Sequence, residues 1–293
     1  MGGRSVFKHT KQLAYKVRVD KPNPVFAKML QQAIGGVEGE IRVCLQYLFQ
    51  GWNFRGPTRY KDMLLNTGTE EIGHIEMLAT AVALNLEEAP ASLQEEIAGQ
   101  NGTVAAVLGG QDPRHVISSG LGAMPADANG NPFDGSWVLA TGNLAADMNA
   151  NVNAEGGGRL LATRLYEMTD DPGMKDMLSF LIARDTMHQN QWMAVLEELK
   201  DMGMPVPSDF PQDQEKREFS YDFFVHSDGE VPDDARWTSG SSVDSHGKFG
   251  VREAEAMGDV PELAPAEARP ELHSAVEQAK GGKLRKMKDA VTP

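Results

Sequence analysis

Four stretches of the chain repeat apolar residues every three or four positions, which is the period of an α-helix with one buried face. The pattern predicts helices over about residues 24–54, 58–86, 138–168 and 172–202. A short Thr-Asp-Asp-Pro-Gly link separates the third predicted helix from the fourth. Because so brief a connection turns the chain back on itself, we expect these two helices to be antiparallel neighbours.

The segment between the second and third predicted helices, about residues 87–137, is rich in Gly, Asn, Asp and Pro. It therefore predicts a long crossover connection and not a core element. Two helices, a long crossover and two further helices are the connectivity of a ferritin-like four-helix bundle, whereas a simple up-down-up-down bundle has short loops throughout. We thus predict an all-α fold with this bundle over residues 23–203, preceded by an N-terminal arm over residues 1–22.

Beyond the bundle, residues 204–293 are polar, rich in Pro, Gly and Ser, and without sustained periodicity. Such a segment has too little apolar surface to fold alone. We expect an extended, mostly irregular C-terminal tail that packs on the bundle or on a neighbouring subunit.

The charge balance narrows the classes of function. The 293 residues include 28 Lys and Arg against 42 Asp and Glu, for a formal net charge of −14. This sign disfavours nucleic acid and anionic membranes as partners. The sequence shows neither a secretory signal nor an apolar run near the roughly 20 residues of a membrane span, so we expect a cytoplasmic protein. The single Cys44 excludes an internal disulfide and four-cysteine zinc or iron–sulfur sites.

Ionisable residues fall on the apolar faces of all four predicted helices. In the first helix, for example, Glu40 is in step with Val37 and Cys44. Glu38, Glu70 and Glu76 are predicted to lie off these faces. The complete inward-facing set is Glu40 in the first helix, Glu71 and His74 in the second, Glu155 in the third, and Asp185 and His188 in the fourth.

So many buried carboxylates are tolerable only if cations lie among them, since an unpaired buried charge costs several kcal/mol. A carboxylate from each of two helices and a carboxylate-x-x-His motif from each of the other two is the pattern that holds a pair of metal ions in a four-helix bundle. Hard oxygen ligands with one imidazole per metal favour manganese or iron. The sequence therefore predicts a dimetal site.

Two smaller features leave alternatives open. Tyr47, seven residues after Glu40, either donates its hydroxyl to that carboxylate or simply packs in the core. Asp62 and the Ser227-Asp228-Gly229 turn offer oxygens to calcium, or are solvated.

At this point the sequence resembles the manganese catalases, the non-haem catalases of the ferritin-like superfamily. The resemblance is carried by GGVEGEIRVCLQYLFQGW, TGTEEIGHIEM, GNLAADMNANVNAE and RLYEMTDDPGMKDMLSFLIARDTMHQNQW, and it extends to about residue 230. It implies two manganese ions per subunit, hydrogen peroxide as substrate, and a homo-hexamer whose C-terminal tails wrap neighbouring subunits.

The same resemblance assigns roles within the predicted site. It implies that Glu40, Glu71 and His74 hold one manganese ion, that Glu155 and His188 hold the other, and that Glu71 bridges them. Asp185 becomes a carboxylate outside the metal ligands that takes part in proton transfer. The chain departs from some family members, which carry a basic residue where Ala154 or Ala162 stands here, and Arg159 is a candidate to replace it.

We therefore predict a catalase that disproportionates hydrogen peroxide to water and dioxygen, cycling a metal pair between Mn(II)₂ and Mn(III)₂. Two alternatives remain at this stage. One is a di-iron oxidase or ferroxidase of the same architecture, and the other is a non-catalytic metal-binding shell protein.

Overall fold

A computed structural model describes residues 10–87, 112–202, 215–228, 231 and 235–262. The chain divides into two compact units, Met1–Lys216 and Arg217–Pro293. The helices of the first unit are α1 (Pro24–Gly35), α2 (Glu40–Asn53), α3 (Thr58–Asn85), α4 (Pro113–Ile117), α5 (Leu144–Glu167) and α6 (Pro172–Asp201). Apart from one isolated bridge between Ala126 and Pro132, the regular structure described in this unit is helical, as predicted. Much of the predicted crossover lies outside the described residues.

The prediction of one continuous helix over residues 24–54 is wrong, because the structure has two helices there. Residues 36–39 separate α1 from α2. Gly36 is extended, with ψ of 171°, and its N–H still bonds to the carbonyl oxygen of Gln32. A Cβ at Gly39 would lie 2.7 Å from the carbonyl oxygen of Ile34, so only glycine allows the chain to turn this closely. The break leaves Val37 39% exposed, although periodicity placed it on the buried face.

The third predicted helix begins later than expected. Residues Gly135–Trp137 form a 3₁₀ turn, and α5 starts only at Leu144. Asn143 marks the start because its side chain accepts a hydrogen bond from the N–H of Ala146. The predicted start near residue 138 was too early because the apolar residues before this cap resemble a helical face.

The interior of the bundle consists of two apolar clusters. One is built mainly by α1, α3 and α6, with residues such as Phe26, Leu78 and Leu178, and includes Leu165 of α5. The other is built by α2, α3, α5 and α6 with residues such as Leu64 and Trp192. In α3 and α6 the sequence between the two apolar sets contains the inward-facing acids and histidines. The predicted site is therefore a polar layer between two apolar ones.

In the second unit the strands β1 (Asp222–Val225) and β2 (Gly250–Glu253) pair in parallel. Arg252 forms an ion pair with Asp222 at 2.6 Å and lies over the rings of Phe219 and Phe224. Residues Arg217–Phe219 form a 3₁₀ turn, and most of the remaining described tail is irregular, as the sequence predicts. The strand pair was not predicted.

Within the described ranges, every helix is either too short or too polar to cross a lipid bilayer.

Candidate metal centre

The polar layer draws side chains from four helices. Glu40 is the first residue of α2, and Glu155 projects from α5. The other members are Glu71 and His74 of α3, and Asp185 and His188 of α6. In each of the latter pairs, the histidine follows the carboxylate by three positions, so both side chains share one helix face. Glu40, at 13% side-chain exposure, is the most exposed of the six, and the others are buried.

Glu71 lies between the two histidines. Its Oε2 is 2.6 Å from Nδ1 of His74, and its Oε1 is 2.9 Å from Nδ1 of His188. The two imidazole rings are stacked with their centroids 5.8 Å apart. One carboxylate therefore faces both imidazoles, which come from different helices.

The six ligand candidates divide into two groups of three. One potential ligand atom from each of Glu40, His74 and Asp185 lies within 4.8 Å of the others. The same separation holds for Glu71, Glu155 and His188. The structure thus puts Asp185 beside two of the proposed metal ligands, closer to the metal-binding set than the family resemblance implies.

A carboxylate that the sequence interpretation missed is Glu70. Its Oε1 is 3.6 Å from Nε2 of His74, and its Oε2 is 3.2 Å from Nε2 of His188. On its other side, Nε of Arg184 donates to Oε1 at 2.6 Å. Glu70 lies off the buried face, as the sequence predicts, with a side chain 32% exposed, but its carboxylate still reaches both imidazoles from the edge of the layer. Its position four residues before His74 was the available signal.

The hydroxyl of Tyr47 donates to Oε1 of Glu155. The predicted partner, Glu40, was therefore wrong. The indole N–H of Trp192 lies 3.5 Å from the same oxygen, and the rings of Tyr47 and Trp192 pack with centroids 4.9 Å apart. Burial first, and then the charge of Glu155, raise the pKa of Tyr47 well above its usual value, so the hydroxyl remains a proton donor.

Arg159 donates to Oε1 of Gln189 at 3.0 Å.

Without metal, the acids of the layer repel one another. Burial, followed by the charges of Glu40, Glu155 and Glu71, raises the pKa of Asp185 to about 9. Burial likewise raises the pKa of Glu40 to about 7. The pKa of Glu71 is lowered to about 2 although burial opposes this, because both imidazoles stabilise its anion. These shifts show how strongly the layer attracts positive charge.

The donor atoms themselves fit a metal pair. Both oxygens of Glu71 and all ring nitrogens of His74 and His188 are buried without a hydrogen bond, since their close approaches lack hydrogen-bond geometry. Unpaired buried polar atoms are costly, and metal coordination would satisfy them. Four carboxylates and two imidazoles suit hard divalent or trivalent ions such as manganese or iron.

The calcium expectation remains a prediction. Asp62 is exposed on α3, Ser227 and Asp228 belong to the second unit, and Gly229 lies outside the described residues.

A helical bundle whose facing helices send carboxylates and imidazoles into one buried layer has the architecture of the ferritin-like metal-carboxylate proteins. Within this class, the chain belongs to the family of manganese-containing catalases, whose family model matches residues 6–289. Both the fold and the family expected from the sequence are thereby confirmed.

Three similar proteins illustrate the relationship. The chain is 51% identical over 262 residues to a manganese catalase of Bacillus subtilis (strain 168), covering 89% of this chain and 96% of that one. It is 40% identical over 271 residues to a manganese catalase of Lactiplantibacillus plantarum, covering 92% and 99%. The crystal structure of wild-type KatB, a manganese catalase from Anabaena, superimposes with a TM-score of 0.63 at 26% identity, covering 80% of this chain and 95% of that chain.

Proposed function

We propose that this protein is a catalase that converts hydrogen peroxide to water and dioxygen at two manganese ions per subunit. Family membership supports the activity. The observation that carries the proposal is the position of Glu71, whose two oxygens face Nδ1 of His74 and Nδ1 of His188 at 2.6 and 2.9 Å. A carboxylate between two imidazoles is suited to bridging two metal ions.

We assign the ligands from the two groups of donor atoms. Glu40 and His74 would hold one ion, Glu155 and His188 the other, and Glu71 both. A bound manganese pair supplies a two-electron change, between Mn(II)₂ and Mn(III)₂, which is what the conversion of one peroxide molecule requires. The protein would therefore need no external electron donor.

Asp185 is the residue we assign to proton transfer. It is 4% exposed, and no hydrogen bond to its carboxylate is found within the described residues. Its oxygens are therefore free to accept a proton from peroxide and return it to the product water. Bound cations would lower its pKa from the raised value of the metal-free site, toward the range in which it can act as a base.

Two side chains outside the ligand set would orient the ligands. Tyr47 holds Oε1 of Glu155 by a hydrogen bond. Glu70, anchored by Arg184, faces Nε2 of both histidines and leaves Nδ1 of each directed toward Glu71. Such outer contacts fix ring orientation and raise the basicity of imidazole ligands.

The test is a metal analysis combined with an activity assay. The protein is produced with manganese and iron both available, its metal content per subunit is measured, and oxygen release from peroxide is followed with an electrode. We expect two manganese ions per subunit and oxygen evolution. Iron occupancy without oxygen evolution would support an oxidase or ferroxidase instead, and an inert, metal-poor protein would support a shell protein.

We also propose a cytoplasmic homo-hexamer. Apolar side chains of the first unit that are about half exposed, such as Ile72 and Met187, support a self-association surface. The free thiol of Cys44 is compatible with a reducing compartment. Light scattering of the purified protein measures the assembly, and cell fractionation measures the location.

A further inference from the structure

Three amide side chains form a buried polar cluster between α2 and α5. Gln46 and Gln50 lie one turn apart on α2, and Asn151 belongs to α5. All three are at most 3% exposed. Oδ1 of Asn151 accepts hydrogen bonds from Nε2 of Gln46 at 2.8 Å and from Nε2 of Gln50 at 2.9 Å. Its Nδ2 donates to Oε1 of Gln50 at 2.7 Å. One residue of α5 is thus bonded to two successive turns of α2.

The same cluster holds the chain that leads into α5. The N–H of Leu139 donates to Oε1 of Gln46 at 3.2 Å, and the carbonyl oxygen of Leu139 accepts from Nε2 of Gln50 at 2.9 Å. One turn earlier on α2, Nε of Arg42 donates to the carbonyl oxygen of Trp137 at 3.2 Å. Every amide nitrogen and oxygen of the cluster therefore has a hydrogen-bond partner.

The cluster is surrounded by an apolar one, to which Val43, Tyr47, Met148 and Ala154 belong. Apolar side chains would fill this space without the cost of removing amides from water. Apolar contacts have little direction, however, and restrain the sliding of one helix along another only weakly. A slide by one residue is about 1.5 Å, whereas a hydrogen bond keeps its strength over only about 0.5 Å. A buried amide cluster with all its bonds made therefore fixes the register of two helices.

The register of these two helices matters for the metal centre. Tyr47 follows Gln46 directly on α2, and Glu155 follows Asn151 by one turn on α5. The hydroxyl of Tyr47 donates to Oε1 of Glu155, which is one of the proposed manganese ligands. A slide of α5 that broke the amide cluster would separate this pair of residues as well.

We propose that Gln46, Gln50 and Asn151 are positioning residues, which fix α5 against α2 so that the hydroxyl of Tyr47 reaches Glu155. The inference rests on the proposed metal centre. The amides add a directional constraint to the apolar packing, and they influence the metal through the contact between Tyr47 and Glu155.

The experiment is a double-mutant cycle of Gln50→Met with Tyr47→Phe, in which manganese affinity is measured by chelator competition. Methionine keeps the unbranched shape of glutamine and removes its three hydrogen bonds. We expect Gln50→Met to weaken manganese binding by about tenfold in the wild-type background. In the Tyr47→Phe background the loss should be less than about twofold, because the contact through which the amides act is already absent.

Gln31→Met is the matched control. Gln31 is a buried glutamine of α1, and its side chain also makes three hydrogen bonds, to the backbone of Met124 and Ala126. This variant should lose stability as Gln50→Met does, because buried backbone groups lose their partners, but it should keep the wild-type affinity for manganese. An equal loss of affinity in Gln31→Met would overturn the proposal.

Two other results would also overturn it: an unchanged affinity in Gln50→Met, or the same fold loss in both backgrounds of the cycle. If Gln50→Met does not fold, Gln46→Met decides by the same comparison, since it leaves the bonds between Gln50 and Asn151 in place.

The affinity measurement separates this proposal from the proposed function. A protein that binds manganese but releases no oxygen would refute catalase activity, and the cycle would still decide the role of the amides. If the wild-type protein binds no manganese, the urea midpoints of the metal-free proteins decide. A smaller loss for Gln50→Met in the Tyr47→Phe background would then support positioning, and an equal loss would overturn it.

Discussion

The hydroxyl of Tyr47 offers a sharp test of how the polar layer is stabilised. Tyr47→Phe removes the donor to Oε1 of Glu155 and leaves the ring, with its packing against Trp192, in place. Burial raises the pKa of Glu155, and His188 and the Tyr47 hydroxyl oppose this shift, so the substitution removes one of the groups that stabilise the buried charge. The chain contains a matched control in Tyr60, whose hydroxyl donates to Oε2 of Glu198 at 2.9 Å.

The two variants should differ in magnitude because their carboxylates differ in exposure. Glu155 is 3% exposed, whereas the side chain of Glu198 is 49% exposed. A hydrogen bond to a buried charged group contributes about 1.5–3 kcal/mol, so Tyr47→Phe should destabilise the protein by about 2 kcal/mol. An exposed pair contributes less than about 1 kcal/mol because water replaces the lost partner, which sets the upper limit for Tyr60→Phe.

The assay is urea unfolding of the metal-free proteins at pH 7, followed by circular dichroism. In a parallel thermal unfolding experiment, a destabilisation of about 2 kcal/mol should lower the melting temperature by roughly 4–8 °C for a unit of this size. Equal losses in Tyr47→Phe and Tyr60→Phe would refute the reasoning, because burial of the acceptor would then have no influence on the strength of the bond.

Three further predictions concern the metal site. His188→Ala should lose manganese and most oxygen evolution while keeping its helix content, whereas Glu197→Ala, an exposed change on the same helix, should keep all three. In the metal-free folded protein, the pKa of Asp185 is raised to about 9, so its carboxyl group stays protonated at neutral pH. In the unfolded chain the pKa is 3.8, so the same group is ionised above about pH 4. The unfolding free energy should therefore fall between about pH 4 and pH 9, by about 1.4 kcal/mol per pH unit for this one group, in urea titrations at several pH values. Arg184→Gln should weaken manganese binding by about 10–100-fold in a chelator competition, because Glu70 loses the partner that anchors it.

Each of these predictions has a clear contrary result. Full manganese content in His188→Ala would remove this residue from the ligand set. A metal-free protein whose stability rises with pH over the stated range would show that Asp185 is not held protonated. An unchanged manganese affinity in Arg184→Gln would show that Glu70 needs no anchor.

The helices themselves were largely predictable because their signals are local. The apolar period and the flanking residues located α3 and α6 to within about a residue at each end. The break between α1 and α2 was not predictable in the same way. The apolar repeat continues across it, and the glycines allow a turn without requiring one, so contacts such as the close approach of Gly39 to Ile34 decide it.

The sequence by itself determined which residue types face inward, because the period of a helix assigns each position to a face whatever surrounds it. It also indicated that such a set of acids needs cations, since that argument depends on charge and burial alone. Only the tertiary structure decided the partners: that Tyr47 reaches Glu155 and not Glu40, and that Glu70 faces both histidines. These contacts depend on the rotation and axial offset of one helix relative to another, which are set by packing of the apolar clusters and leave no mark in the periodicity of a single helix.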